Sequence, residues 1–134
     1  MDFKKIFDEY KNIAVVGISR HLEKPSFTVP SYMKKQGFKI IPVNPFATSI
    51  MKETAYPNIN EIPGEIDIVQ VFRPSEQAYD IIKQAVQRNK YRGDVKMIWL
   101  QQGITSPDGK KLAEENGIEY VEDLCMYVAH KDVA

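Results

Sequence analysis

"NIAVVGISRHLEKPS", residues Asn12 to Ser26, decides how this chain is read. Ile13 to Val16 form a short apolar run of the kind a buried strand needs, and Gly17 ends it where the chain must turn. A strand, a glycine and a polar loop leading to a helix open a nucleotide-binding α/β domain. The loop then departs from a dinucleotide fingerprint. Counting Gly17 as first, the third and sixth places hold Ser19 and Leu22. Glycines there would let backbone approach a pyrophosphate and let helix pack closely on strand. This loop instead carries Ser19, Arg20, His21 and Lys24, and reaches Pro25 before a helix begins.

Similar apolar runs recur along the chain: "FKIIPVN", "DIVQVFR", "VKMIWLQ" and a weaker "IEYVED". They are mostly continuous rather than alternating, which signals burial on both faces, as in a parallel sheet covered by helices. Helical segments alternate with them. In "PSEQAYDIIKQAVQRNK" the residues Ala78, Ile81, Ile82, Ala85 and Val86 make one stripe, and Pro74 with Ser75 as a capping residue suit its start. Ser106 and Pro107 suit the start of the next helix, and Gly117 its left-handed end. Pro30 belongs in a first turn, which sets the helix after the first loop to begin near Ser26 to Thr28. Phe3, Ile6, Phe7 and Tyr10 give an amphipathic first helix that covers its own sheet or meets a second subunit.

The expected fold is therefore α/β: a Rossmann-like, doubly wound parallel sheet in three α/β/α layers, with the first strand near the middle. Ligands of such sheets bind at the carboxyl ends of the strands. Function is expected in the loops after Val16, Val43, Phe72 and Leu100.

The whole chain narrows the chemistry. Its 134 residues suit one domain spanning 1–134, and 18 basic side chains balance 18 acidic ones. That neutrality argues against nucleic acid or an anionic membrane as partner. A single cysteine, Cys125, excludes an internal disulfide framework and a thiolate-rich metal site. The first residues lack the apolar core of a signal peptide and no run is long enough to span a membrane, so a cytoplasmic location is expected.

Within this frame the first loop favours an anion. Arg20 and Lys24 bring charge, while Ser19 and the N–H groups at the helix start hold phosphate oxygens. Lys52 and Arg73 are placed to reach the same rim. NAD needs an acidic residue after the second strand for its ribose diol. "FKIIPVNPFATSIMK" contains neither Asp nor Glu. Its absence disfavours NAD and suits a phosphorylated ribose.

The succession "VVGISR…EKPS", "IIPVNP", "AYPNINEIPGEIDIVQVFRPSE" and "IWLQQGI" resembles the small stand-alone CoA-binding proteins of prokaryotes, relatives of the nucleotide-binding domain of the succinyl-CoA synthetase α subunit. The resemblance runs from Lys11 to His130. It implies a Rossmann-like domain holding coenzyme A by its ADP part. It sets Gly17, Ile18, Ser19, Arg20, Lys24 and Pro25 around the phosphates and Val43, Asn44 and Pro45 beside the adenosine. Phe72, Arg73 and Pro74 follow from the third loop, and Gln102 and Gly103 from the fourth.

No residue carries a catalytic motif. His21 is read as a solvated or rim residue and His130 as exposed or bonded at a helix end. Cys125 is read as a small buried residue, with a mixed disulfide to the CoA thiol as the functional alternative. Trp99, in mid-strand, is read as core. The expectation is a non-catalytic binder of CoA or acyl-CoA, alone, as a homodimer or with a partner enzyme. The alternatives are the CoA-binding component of a ligase or transferase catalysed by another chain, an NAD(P)-binding oxidoreductase or redox sensor, and an interaction module with a vestigial cleft.

Overall fold

The computed structural model describes residues 1–134. Five parallel strands form one sheet: β1 (Asn12–Val16), β2 (Lys39–Val43), β5 (Ile68–Val71), β6 (Met97–Leu100) and β7 (Glu119–Val121), in the order β2-β1-β5-β6-β7. The first strand lies one place from the middle, which β5 occupies. Helices α1 (Phe3–Glu9), α2 (Pro25–Lys35) and α5 (Met126–Val133) cover one face, burying Ile6, Phe7, Val29, Met33 and Met126. Helices α3 (Ser75–Arg92) and α4 (Pro107–Glu115) cover the other with the 3-10 turn Ile59–Glu61. Every residue of β5 and β6 is buried, which is why those stretches are apolar apart from Gln70, whose Nε2 donates to Gln101 Oε1 at 3.3 Å.

The α3 stripe from Ala78 to Val86 faces the sheet as its spacing requires. Ser106 caps α4, its Oγ accepting from Gly109 N–H at 3.2 Å, and Gly117 follows the helix at φ +71°. Trp99 is fully buried and donates its indole N–H to Leu124 O at 2.8 Å. Helix α1 packs within its own chain: the Phe7 ring lies 5.7 Å from Trp99 and 5.8 Å from Phe38. Its apolar face is thus packed within the chain.

Three local expectations are corrected. Helix α2 starts at Pro25, a little before the predicted Ser26–Thr28, and carries Pro30 in its interior. A proline there removes the N–H that would bond the carbonyl four residues back. That carbonyl belongs to Ser26, and it accepts Ser19 N–H at 3.1 Å instead. Ser75 does not cap α3; its hydroxyl accepts Thr105 N–H at 3.0 Å, and Pro74 stands at the cap position. Finally, a small hairpin joins β3 (Ser49–Ile50) to β4 (Glu53–Thr54), a stretch without a strand signal in its residues. Its turn uses Met51 and Lys52 at φ 56° and 64°, with none of the usual glycine or asparagine. Lys34 supplies the missing support, donating to Met51 O and pairing with Glu53 at 3.1 Å.

A buried ion pair fixes the far side of the sheet. Arg88 and Asp94 are 2% and 5% exposed and 2.9 Å apart. The guanidinium also donates to the carbonyls of Ile59, Ile62 and Gly64, so it ties the segment before β5 onto α3. Burial alone would raise the Asp94 carboxyl, but hydrogen bonds from Arg88 and Ile66 N–H, with the guanidinium charge, hold it below its ordinary value. A carboxylate depressed in the folded state contributes stability above its unfolded pKa and loses it as pH falls through the folded one. Arg88→Met is expected to cost about 3–5 kcal/mol in urea unfolding at neutral pH, because it strands a buried charge. Loss of stability below roughly pH 4 should be shallower in Arg88→Met than in the parent.

Candidate functional site

A cleft of about 630 Å³ opens at the carboxyl ends of β2, β1 and β5. This is the topological switch point, where the chain leaves β1 toward one face and β5 toward the other. Val16, Gly17, Val43 and Phe72, at the strand ends, line it. Ile18 to His21, Lys24 and Ser26 line it from the first loop and α2. Pro57 to Ile59 and the α3 residues Gln77, Asp80, Ile81 and Gln84 line it from the other face. Asn44 to Phe46 and Arg73 complete it.

Gly17 is required twice over. Its φ is +86°, and a Cβ there would lie 2.8 Å from Arg73 Cδ, so the aliphatic part of Arg73 crosses the glycine. Gly17 N–H donates to Val43 O at 3.1 Å, joining the first loop to the second. Asn44 strengthens that joint: its Nδ2 donates to Ile18 O at 3.1 Å and its Oδ1 accepts Phe46 N–H at 2.7 Å. Ser19 is similarly committed, its N–H to Ser26 O and its Oγ as acceptor for His21 N–H at 2.9 Å. The loop is therefore latched at several points although it lacks the later fingerprint glycines.

The latching leaves other donors unspent. The backbone N–H groups of Ile18, Arg20 and Arg73 make no bond within the protein. Lys24 stands at the cap position of α2 with no side-chain cap bond; Pro25 has no N–H, and Phe27 and Thr28 N–H both donate to Lys24 O, which leaves Ser26 N–H open to an outside acceptor. Arg73 Nε donates to Gln77 Oε1 at 2.9 Å, while its terminal NH2 groups have no partner. Arg20, Lys24 and Arg73 belong to none of the ion pairs, which join Lys4 to Asp8, Lys34 to Glu53 and Arg88 to Asp94. Three cations thus share a cleft whose lining holds a single carboxylate, Asp80.

Among the residues expected at the site, Gly17, Ile18, Ser19, Arg20, Lys24, Val43, Asn44, Pro45, Phe72 and Arg73 come together in this cleft. Pro25 and Pro74 stand exposed at the starts of α2 and α3 and do not line it. Gln102 and Gly103 lie beyond β6, outside the cleft, where Gly103 N–H donates to Asp123 Oδ1 at 2.7 Å. Lys52 sits in the hairpin turn, away from the cleft. His21 is an exposed residue of the cleft lining. Sequence reasoning missed the wall opposite the first loop. Its legible signal was the spacing of Gln77, Asp80 and Gln84, which puts three polar side chains on one side of α3 beside the apolar stripe.

Other reactive groups lie elsewhere. Cys125 is half-buried at the start of α5 and outside the cleft. His130 is half-buried too, its Nδ1 2.7 Å from the Tyr32 hydroxyl and its ring packed edge-on to Phe7 and Phe38. Burial, helped by the Lys11 charge, pushes its pKa below the usual histidine value. No group of three or more His, Cys, Asp and Glu side chains is arranged to hold a metal ion, and no helix is long and apolar enough to cross a membrane.

The CoA binding domain family matches residues 11–131, and the chain belongs to that family. It is 36% identical over 129 residues to the uncharacterized protein YneT of Bacillus subtilis, covering 96% of this chain and 92% of that one. It is also 33% identical over 106 residues to the ADP-forming acetate–CoA ligase II of Archaeoglobus fulgidus. That match covers 78% of this chain and 15% of the ligase, so the chain corresponds to a small part of the larger enzyme. Among solved structures, a Thermus thermophilus protein superposes with a TM-score of 0.91 at 30% identity, covering 99% of this chain and 97% of that one.

Gly17→Ala is expected to destabilise the protein by about 1–3 kcal/mol, since alanine is strained at this φ and meets the Arg73 side chain. Thermal unfolding of the variant checks this; an unchanged midpoint would show that the turn relaxes freely.

Proposed function

We propose that this protein binds coenzyme A or an acyl-CoA by its ADP and 3′-phosphate part, as one unit comprising residues 1–134, and does no chemistry on it. The observation that carries the reading is the trio of unpaired cations, Arg20, Lys24 and Arg73, beside unspent N–H groups in the cleft of a CoA-binding-domain fold. A pyrophosphate and a ribose phosphate need such donors, and no carboxylate is paired with these three cations to compete with the phosphates. Gly17 to Arg20 and Lys24 grip the phosphates, with Pro25 setting the start of α2. Val43, Asn44 and Pro45 border the adenosine, with Asn44 acting through the loops it joins. Phe72 and Arg73 close the site from β5, and Pro74 sets the direction of α3. Gln102 and Gly103 lie farther along the strand ends, on the course of the pantetheine arm. The location proposed is the cytoplasm.

One observation favours a second reading. The ligase relative is several times longer than this chain, so its CoA-binding part works beside other domains. This protein would then serve as the CoA-binding component of a ligase or transferase whose catalytic groups sit on another chain. Purification at native abundance distinguishes the two, since only the component reading requires a stoichiometric partner protein.

Calorimetric titration tests the main reading. CoA is expected to bind more tightly than dephospho-CoA, NAD or NADP, and more weakly as salt rises, because its phosphate contacts are ionic. Arg20→Ala is expected to weaken CoA by about 1–3 kcal/mol, the worth of a charge-assisted contact. NADP binding more tightly than CoA would overturn the assignment.

A further inference from the structure

Phe46 is 83% exposed, and no other phenylalanine of the chain is an exposed side chain. Its main chain is nonetheless held firmly. Phe46 N–H donates to Asn44 Oδ1 at 2.7 Å, Asn44 Nδ2 donates to Ile18 O at 3.1 Å, and Asn44 N–H donates to Tyr56 O at 2.9 Å. A fixed backbone therefore presents a bare aromatic ring in the lining of the cleft. Packing within the chain does not account for it, since the ring belongs to neither core cluster. The lining segments Asn44 to Phe46 and Pro57 to Ile59 carry no cation, whereas Arg20 and Lys24 sit on the first loop. A cleft with a cationic part and an aromatic part fits a ligand that is polyphosphate at one end and a flat heterocycle at the other.

Resting on the CoA reading, we propose that Phe46 is a stacking platform for the purine base. An aromatic face attracts a heterocycle without needing directed hydrogen bonds, and removing such a platform typically weakens binding by about ten-fold or more. The platform supplies affinity for the base, while the cations supply affinity for the phosphates.

Phe46→Trp tests this directly, because the substitution lies at an exposed position and places a reporter where the base should stack. The one native tryptophan, Trp99, is fully buried, so the parent protein gives the background emission. Quenching of Phe46→Trp is expected with CoA and with adenosine 3′,5′-bisphosphate, and not with 4′-phosphopantetheine, which has no base. Phe46→Ala should bind CoA about ten-fold or more weakly, with Phe46→Tyr restoring most of the affinity. If CoA binds Phe46→Trp calorimetrically with unchanged emission, and Phe46→Ala matches the parent, the platform is overturned while the CoA reading stands. If CoA gives no heat with the parent protein, both fall, and that result is read before any variant is made.

Discussion

The carbonyl of Ser26 has no helical partner, and the first loop hangs on it. In an unbroken helix the N–H four residues on would occupy that oxygen. Here the position belongs to Pro30, so the oxygen turns to Ser19 N–H at 3.1 Å. A proline that weakens the helix thereby anchors the loop between β1 and α2. The anchor explains how a loop without the usual later glycines keeps a defined course. With Asn44 bridging Ile18 and Phe46, it fixes the first two loops relative to one another before any ligand arrives. A site built this way loses little conformational freedom on binding.

The protein handles charge in two opposite ways. Arg88 is buried and fully occupied, bonded to Asp94 and to three carbonyls, which makes it a structural clamp on the segment leading to β5. Arg20, Lys24 and Arg73 are exposed and unpaired. Like charges gathered without counter-ions repel one another, and solvent screening keeps that cost small. An anion placed among them would relieve that repulsion. The clamp matters to the cleft as well, since Ile59, whose carbonyl Arg88 holds, is part of the cleft lining.

Strand order and the turn at Gly17 set the carboxyl-end cleft. Asp80, Gln77 and Gln84 on α3 add a polar flank that the loops alone do not supply. The ligase relative shows that such a domain also occurs as a small part of a larger enzyme.

By itself the sequence determined the layered parallel architecture, because continuous apolar runs such as "MIWL" are stable only when both faces are covered. It also determined the α3 stripe, the Ser106 cap and the gathering of Arg20 and Lys24 after β1, since each depends on residues close in the chain. Tertiary structure alone decided the rest. That Arg88 meets the carbonyls of Ile59, Ile62 and Gly64, that Lys34 supports a glycine-free turn, and that Ser26 bonds Ser19 are matters of unlike segments meeting in space. The position of Gln102 and Gly103 outside the cleft belongs to the same class, because strand order places the β6 loop beyond β5. Local spacing encodes which face of an element is apolar; it does not encode which polar groups, many residues apart, find each other once those faces are buried.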